Sequence, residues 1–341
     1  MKSVYTVNCH EGDILATDVY SSEGVVLVSK NTMVNEYIRS KLIDFGILQV
    51  KIYDSLKDNI IYAKFEKKYK EYICRMKELL RIVTLGQCEE MEKITLHLTE
   101  QIYRNMTDSN YIIYCLNRIR SNDEYTYTHS INTAFYSMLI GNWLNLPGKQ
   151  LCELISASLL HDIGKTKIPN NILNKQGRLN KEEYEIVKEH SVLGYEIIKD
   201  STAFRKELKE AVLLHHERMD GSGYPYGLKG KAIGLYARII SIADVYDAMT
   251  QNRIYKNKVS PFESFEMFQT EGVRLFDYPI LYVFLKHIAP LYVGNKVRLS
   301  NGDVGEIVFI PPQDITSPIL YINSEYMDLG RNNDIKVLQV I

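Results

Sequence analysis

Apolar residues recur at helical spacing over most of the chain, and strand-like runs occur only at its two ends. Two sets of apolar positions fall at steps of three or four residues: Ile73, Met76, Leu80 and Val83, then Ile94, Leu98, Ile102 and Met106. Residues at such steps lie on one face of a helix. The spacing predicts two amphipathic helices within residues 57–108, which form a helical connector.

Residues 109–289 continue the helical pattern and form the largest predicted domain. Turns rich in glycine, proline or asparagine interrupt the pattern, and strand-like alternation is absent from it. The predicted helices lie around residues 129–144, 150–161, 181–199, 205–216, 232–250 and 261–269. This arrangement predicts a helical bundle.

Both ends of the chain predict small sheets. Residues 1–56 combine β-rich runs with one short helix around residues 35–43, which indicates an α+β module. Residues 290–341 contain strand-like runs and the hairpin signal Asn301-Gly302, which predict a small β-barrel-like cap. The predicted fold class is therefore mainly α, with domains at 1–56, 57–108, 109–289 and 290–341.

The composition narrows the classes of function. The 341 residues include 41 basic and 42 acidic side chains, whereas a protein that binds long nucleic acid needs a basic surface. A small anionic ligand needs only a local basic pocket. Five cysteines without CxxC spacing indicate free thiols in a reducing compartment. Since no uncharged apolar run approaches about 18 residues and the first residues do not resemble a signal peptide, we expect a cytoplasmic protein without a membrane span.

Histidines and aspartates recur at intervals that suit one shared site. Five of the eight histidines and two aspartates form this series: His129, His161, Asp162, His190, His215, His216 and Asp244. Apart from the two adjacent pairs, successive members lie 25–32 residues apart, which is about one helix out and one helix back. Such spacing returns ligands to the same end of a helical bundle. Any one of these histidines alone is also compatible with a core or surface position.

The seven imidazole and carboxylate side chains indicate more than one metal ion, because a tetrahedral zinc site takes four ligands. The set suits two five- or six-coordinate divalent ions that share a bridging carboxylate. It contains no cysteine, so iron or manganese is favoured, with nickel, cobalt or zinc as alternatives. Two ions about 3.5–4 Å apart can hold a bridging hydroxide and neutralise a phosphodiester during in-line displacement.

Two further stretches supply candidate substrate contacts. Residues 217–228 form a loop with three glycines, which let a ligand approach the backbone closely, and with Tyr224, which can stack on a base. On the following helix, Asp244 and Asp247 share one face, so that one could be a metal ligand and the other could hold an arginine or a base. Arg253 and Lys256 then offer positive charge for phosphates, unless they are simply solvated.

Three motifs within residues 109–289 together resemble the HD-GYP family of bacterial cyclic-di-GMP phosphodiesterases, which belongs to the HD metal-hydrolase superfamily. The motifs are His161-Asp162-Ile-Gly-Lys165, His215-His216-Glu-Arg-Met-Asp220-Gly-Ser-Gly223-Tyr224-Pro225 and Arg238-Ile-Ile-Ser-Ile-Ala-Asp244-Val-Tyr-Asp247-Ala-Met-Thr250. The resemblance covers roughly half of the chain. It implies a helical HD domain that acts in bacterial second-messenger signalling.

The resemblance also assigns roles to individual residues. It implies that the seven candidate ligands bind two or three metal ions and that Asp162 bridges them. Lys165 would act with Asp162 in catalysis, by contacting the scissile phosphate or the leaving oxygen. The substrate site would include Tyr224, Pro225, Asp247, Arg253 and Lys256.

Two departures from the family pattern modify this expectation. Family members with three metals carry a glutamate one helical turn before the first histidine, where this chain has Tyr125. A neutral phenol is a poor ligand for such an ion, so we predict a binuclear site. The usual Arg-Pro-Tyr is here Arg253-Ile254-Tyr255, which removes a rigid turn near the substrate.

The sequence therefore favours a cytoplasmic, metal-dependent phosphodiesterase that hydrolyses cyclic-di-GMP through a bridging hydroxide. Three alternatives remain open at this point: a module that binds cyclic-di-GMP for signalling, a hydrolase of another cyclic nucleotide, and a helical protein without a site. A homodimer is compatible with the sequence. We expect neither long nucleic acid nor a membrane among its partners.

Overall fold

The structure is a computed structural model that describes residues 2–30, 32–53, 55–104, 112–113, 115–116, 125–175, 177–251, 260–323, 325–332 and 334–341. Of residues 2, 55–61, 125 and 126 it describes the backbone alone. Over these residues the chain is mainly helical, with small sheets towards its two ends, as the sequence predicts.

Helices build the body of the molecule and begin and end close to the predicted positions. The first is α1 (Glu36–Asp44), and the long helices α2 (Ser55–Thr84) and α3 (Cys88–Arg104) form the connector. The others are α4 (Tyr125–Trp143), α5 (Gly148–Leu160), α6 (Asn170–Leu173), α7 (Lys181–Lys188), α8 (His190–Ile198), α9 (Lys206–Leu214), α10 (Leu235–Thr250), α11 (Pro261–Gln269), α12 (Gly272–Leu275) and α13 (Tyr278–Ile288). Among the helices described, none is both long and apolar enough for a membrane span.

The helix predicted at residues 181–199 is two helices that meet at Glu189. A capping box starts α7: the Asn180 side chain accepts a hydrogen bond from the Glu183 N–H, and the Glu183 carboxylate accepts one from the Asn180 N–H. The break after α7 allows α8 to begin at His190, whose ring is buried in the body of the molecule.

Helix α5 lies at the centre of the bundle, where it packs against α3, α4 and α9. Its residues from Leu154 to Leu160 are all buried. Full burial of one leucine or isoleucine side chain contributes about 1.5–3 kcal/mol, so α5 is anchored firmly. Because α5 ends inside the bundle, the residues that follow it also lie inside. A 3-10 turn, Ile163–Lys167, comes directly after His161 and Asp162 and packs against α2 and α8.

Two hydrophobic cores are present among the described residues. The larger one runs from Phe65 on α2 to Val337 near the C-terminal end, and it includes the connector, the helical bundle and the inner face of the last sheet. The smaller one joins buried residues between Cys9 and Ile52. The first module thus has its own core, whereas the connector shares a core with the helices that follow it.

The first module contains two short antiparallel pairs. Strand β1 (Lys2–Tyr5) pairs with β4 (Gln49–Ile52), and β2 (Val19–Tyr20) pairs with β3 (Val26–Val28). Only the end of the β-rich run at residues 13–20 is a regular strand, since Ile14 and Leu15 form isolated bridges.

The C-terminal sheet has five antiparallel strands: β5 (Lys296–Leu299), β6 (Val304–Phe309), β7 (Ile319–Ile322), β8 (Glu325–Asp328) and β9 (Val337–Val340). Asn301-Gly302 connects β5 to β6, as predicted. The strand order is β8-β7-β6-β5-β9, so β8 and β9 are the two edges and the sheet is open in the part described. The expected barrel-like closure was therefore wrong, although a small β domain is present. Strand β8 was missed because its sequence, Glu-Tyr-Met-Asp, lacks the apolar alternation of a buried strand.

Candidate metal centre

The seven predicted ligands come from five elements that meet in the interior. His129 lies on α4 and Asp244 on α10, while His161 and Asp162 follow the end of α5. His190 begins α8, and His215 and His216 follow the end of α9. A helix end frees the backbone to turn, which lets two adjacent residues both point inwards.

These side chains form two neighbouring groups that could each hold a metal ion. One group contains Asp162, His190, His215 and His216, and the other contains His129, His161 and Asp244. Within each group the candidate ligand atoms lie within 4.8 Å of one another. The structure thus brings together all seven residues of the sequence pattern.

The first group is built from imidazole nitrogens that face each other. Nε2 of His190 lies 3.3 Å from Nε2 of His215 and 3.1 Å from Nε2 of His216. The Nδ1–H groups of His190 and His215 donate to the carbonyl oxygens of Val187 and Val212 at 2.7 and 2.8 Å. With Nδ1 protonated, each neutral ring presents an Nε2 lone pair to the other. Facing lone pairs repel, and a cation among them relieves that repulsion.

Electrostatics keeps these histidines in the form that binds metal. Burial lowers the pKa of His190, His215 and His216 below the usual histidine value. All three rings are therefore neutral at pH 7. Neutral imidazole is the form that ligates a metal ion.

In the second group, Nε2 of His129 lies 2.9 Å from Oδ1 of Asp244. His161 donates from Nδ1 to the Ser158 carbonyl oxygen at 2.7 Å, so its Nε2 also presents a lone pair to the site. That Nε2 is buried and has no hydrogen-bond partner among the described residues. A buried polar atom without a partner is costly, and metal ligation would satisfy it.

Asp162 lies between the two groups. Its Oδ2 is 3.4 Å from Nε2 of His161 and 3.7 Å from Nε2 of His129, whereas its Oδ1 is 3.4 Å from Nε2 of His190. In the described part of the chain, Oδ1 has no hydrogen-bond partner. Burial alone would raise the pKa of Asp162, but Lys165 and His161 hold it well below its usual range. A charged carboxylate that faces both groups fits a bridge between two ions.

Asp247 lies behind His129, on the side away from the candidate ligand atoms. Its Oδ2 accepts a hydrogen bond from Nδ1 of His129 at 2.7 Å, and its Oδ1 accepts from Asn132 and Gln251, both at 3.0 Å. Its side chain is buried. The sequence analysis expects Asp247 to contact substrate. In the structure, both of its carboxylate oxygens accept hydrogen bonds from protein donors, so this placement does not fit that role. The sequence shows only that two aspartates share a helix face, so it cannot distinguish a ligand from its support.

The Asp247 contact also affects the charge of His129. Burial alone would lower the pKa of this histidine, but Asp244 and Asp247 raise it to about 9. A metal ion at Nε2 would have to displace a proton. The orientation through Nδ1 is the common arrangement for a metal-binding histidine, in which a carboxylate holds the second ring nitrogen.

Lys165 and the glycine-rich loop border the site. Nζ of Lys165 lies 2.5 Å from Oδ2 of Asp162, and its side chain is partly exposed. The Tyr224 ring stacks on His216, with ring centroids 4.6 Å apart, and Pro225 follows it. Tyr224 is half-buried, so it lies between the histidines and the solvent.

Two residues that sequence reasoning missed support this loop. Glu217 is buried, and its carboxylate accepts hydrogen bonds from the backbone N–H groups of Tyr226 and Leu228 at 2.7 and 2.9 Å. Nζ of Lys188 lies 5.7 Å from the centroid of Tyr224 and 5.5 Å from that of Tyr184. The spacing of Lys188 two residues before His190 was an available signal, since the two residues lie on either side of the helix break at Glu189.

Three of the residues discussed above have side chains that the structure does not describe. Arg253 and Lys256 fall in the segment 252–259, and only the backbone of Tyr125 is described. Their predicted roles, in phosphate binding and in limiting the site to two ions, stay predictions.

Comparison with known proteins agrees with the motifs. Residues 115–280 match the HD domain family. The chain is similar to the cyclic di-GMP phosphodiesterase PA4108 of Pseudomonas aeruginosa, with 35% identity over 63% of this chain and 54% of that protein. A cyclic di-GMP phosphodiesterase of Thermotoga maritima is 29% identical over 80% of this chain and 70% of its own length. A 3'3'-cGAMP-specific phosphodiesterase of Vibrio cholerae is 29% identical over 67% of this chain and 43% of its own length. The match spans about half the length of several such relatives.

One solved structure has a similar overall fold. Bd1817, an HDG"Y"P protein from Bdellovibrio bacteriovorus, aligns over 83% of this chain and 97% of its own, with a TM-score of 0.51 and 15% identity. At this identity the likeness concerns the fold alone.

Proposed function

Because this chain belongs to the HD domain family, in its HD-GYP group, we propose that it is a metal-dependent phosphodiesterase that hydrolyses cyclic-di-GMP. The observation that carries the proposal is the placement of Asp162, whose two oxygens face two separate groups of histidines. A carboxylate so placed is suited to joining two metal ions into one reactive centre. The choice of cyclic-di-GMP as substrate rests on relatives that are named cyclic di-GMP phosphodiesterases.

The site would hold two divalent ions, and the ligand chemistry favours iron or manganese over nickel, cobalt or zinc. Asp162, His190, His215 and His216 would bind one ion, and His129, His161, Asp244 and Asp162 would bind the other. When bound, such a pair activates water and neutralises charge on a phosphodiester. The protein contributes a dry, fixed set of ligands, because six of the seven side chains are buried.

Lys165 is proposed to stabilise negative charge on the reacting phosphate. Its ammonium group is held by Asp162 at 2.5 Å, at the edge of the candidate centre, and remains partly exposed. With Asp162 engaged as a metal ligand, the Lys165 ammonium would be available to donate to a phosphate oxygen or to the leaving oxygen.

Three residues near the opening are proposed to contact the dinucleotide. Tyr224 and Pro225 present an apolar face beside the histidines, and Tyr224 is fixed there by stacking on His216. Nζ of Lys188 lies 5.7 and 5.5 Å from the ring centroids of Tyr224 and Tyr184, and it carries a positive charge that suits a phosphate. Asp247 is proposed to orient His129 instead of touching substrate. Arg253 and Lys256 remain proposed phosphate contacts.

A second candidate substrate is 3'3'-cGAMP, because two relatives are named as specific for it. Both substrates carry two purines on a cyclic phosphodiester backbone, and the residues named above recognise features that they share. We propose a cytoplasmic location on the basis of the five free cysteines. A homodimer remains a prediction.

The test is a hydrolysis assay on the full chain loaded with manganese or iron, with cyclic-di-GMP and 3'3'-cGAMP as substrates. We expect conversion of cyclic-di-GMP, and chromatography would identify the product as the linear dinucleotide or as GMP. The matched control is Asp162→Asn, which keeps the side-chain shape but weakens the bridge. Binding of cyclic-di-GMP without turnover by folded, metal-loaded protein would instead favour a signalling receptor.

A further inference from the structure

Behind His129, a row of buried polar side chains leads away from the candidate metal centre. It runs from His129 through Asp247 and Asn132 to Tyr69 on helix α2. All four side chains are at most 6% exposed. Tyr69 precedes residues 115–280, the part of the chain that matches the HD domain.

Each contact in this row has the geometry of a hydrogen bond. The Tyr69 hydroxyl donates to Oδ1 of Asn132 at 2.6 Å, and Nδ2 of Asn132 donates to Oδ1 of Asp247 at 3.0 Å. His129 then donates from Nδ1 to the other oxygen of Asp247 at 2.7 Å. These distances fall within the normal range for such groups.

The Asn132 amide can link Tyr69 to Asp247 in one orientation only, because the Asp247 carboxylate only accepts hydrogen bonds. A tyrosine hydroxyl that donates to the Asn132 oxygen turns the Asn132 amide group towards Asp247. The opposite amide orientation would place an oxygen against the Asp247 carboxylate, which is repulsive. The Asp247 carboxylate therefore sets the Asn132 orientation, and the Tyr69 hydroxyl holds the amide in it by donating to the Asn132 oxygen. Asp247 in turn holds the ring of His129.

The tyrosine itself is held by packing. Its ring lies in an aromatic cluster with Phe65, whose centroid is 6.1 Å away, and α2 packs against α4, the helix that carries His129. Burial raises the pKa of the phenol well above its usual value, so the hydroxyl keeps its proton. If the contact between α2 and α4 served packing alone, an apolar ring would suffice, and the buried Tyr69 hydroxyl would not be needed.

We infer that Tyr69 is a positioning residue for His129, so that the connector helix α2 forms part of the outer shell of the metal centre. The inference rests on the proposed function, because it assumes that His129 binds metal. Under this inference, a residue of α2, which lies outside the HD domain match at residues 115–280, contributes to metal affinity. Gln251 also donates to Asp247 at 3.0 Å, so removal of the Tyr69 hydroxyl should weaken this support without abolishing it.

The experiment is calorimetric titration of manganese into metal-stripped, full-length protein. Tyr69→Phe removes the hydroxyl and keeps the ring. We expect it to weaken manganese binding by about tenfold, the lower end of the effect of outer-shell changes. The matched control is Tyr292→Phe, since Tyr292 and Tyr246 also form a buried 2.6 Å hydroxyl contact. Tyr246 directly precedes Asp247 in the chain, so this control removes a buried hydroxyl contact made by a neighbour of the same aspartate. The Tyr292→Phe variant should bind manganese as the wild type does.

A double-mutant cycle separates positioning from a general loss of stability. If Tyr69 acts through Asp247, Tyr69→Phe combined with Asp247→Asn should bind manganese no more weakly than Asp247→Asn alone. Unchanged affinity in Tyr69→Phe, equal losses in Tyr69→Phe and Tyr292→Phe, or additive losses in the double variant would each overturn the inference. A wild-type protein that is folded but binds neither manganese nor iron would overturn the proposed function as well.

Discussion

Asp162 approaches His190 with its Oδ1, which lies 3.4 Å from Nε2 of His190. The other oxygen, Oδ2, lies 3.4 Å from Nε2 of His161, in the second group of candidate ligands. This division of one carboxylate between two groups is the basis for proposing a binuclear centre. It also makes Asp162 the residue whose loss should affect both metal positions.

Asp162→Asn should reduce both metal content and turnover. An amide has a single acceptor oxygen and no charge, so it cannot serve two cations equally. We expect a larger loss of activity than the about 10- to 100-fold loss typical of outer-shell changes. Metal analysis by mass spectrometry and a hydrolysis assay on the same sample would measure it. Full metal content with full activity would contradict the bridging role.

Metal binding should release a proton from His129. Its pKa is raised to about 9, so below that pH the ring holds a proton that a metal ion must displace. Apparent affinity should therefore rise as the pH increases towards about 9, whereas His190, His215 and His216, with lowered pKa values, are already neutral there. Calorimetry at pH 7.5 in two buffers of different ionisation enthalpy would detect the released proton. An enthalpy that is independent of the buffer would refute this expectation.

Lys188→Met should weaken substrate binding and leave the metal centre intact. The variant keeps an apolar side chain of similar length but loses the charge beside Tyr224. We expect KM to rise by about tenfold, or about 1.4 kcal/mol, with little change in kcat. Lys199→Met is the matched control, because Lys199 and Lys188 each pair with a glutamate three residues earlier at 2.6 Å. Equal kinetics in the two variants would exclude Lys188 from the substrate site.

Glu217→Gln should disturb the loop that carries Tyr224. Both carboxylate oxygens accept backbone N–H groups, and an amide can accept only one of them while directing an N–H at the other. An unsatisfied buried donor costs about 1–3 kcal/mol, so we expect a lower melting temperature and a higher KM. Thermal denaturation and steady-state kinetics test this, and a variant with wild-type values in both would show that the loop is held in another way.

The sequence predicts that the seven candidate ligands lie together, because the information for it is local and periodic. Each ligand lies at a helix end or on an inner helix face, and regular spacing returns such positions to one end of a bundle. Asp162, His215 and His216 are recognisable in the sequence because they follow the apolar ends of helices. The same regularity explains why the helix boundaries were close to the predicted ones.

Long-range relationships could not be predicted in this way. Tyr69 and Asn132 are 63 residues apart, and Asn132 and Asp247 are 115 apart, so no motif joins them. Glu217 was visible within a motif, but its role depends on which backbone groups point at it. The open C-terminal sheet depends on where β8 and β9 lie, which turn signals do not specify.

The most direct test of the central claim combines metal analysis with cyclic-di-GMP hydrolysis on one preparation of the full chain. The proposed function predicts about two divalent ions per chain, turnover of cyclic-di-GMP, and loss of that turnover after treatment with a chelator. Folded protein that carries both ions and still leaves cyclic-di-GMP intact would contradict it.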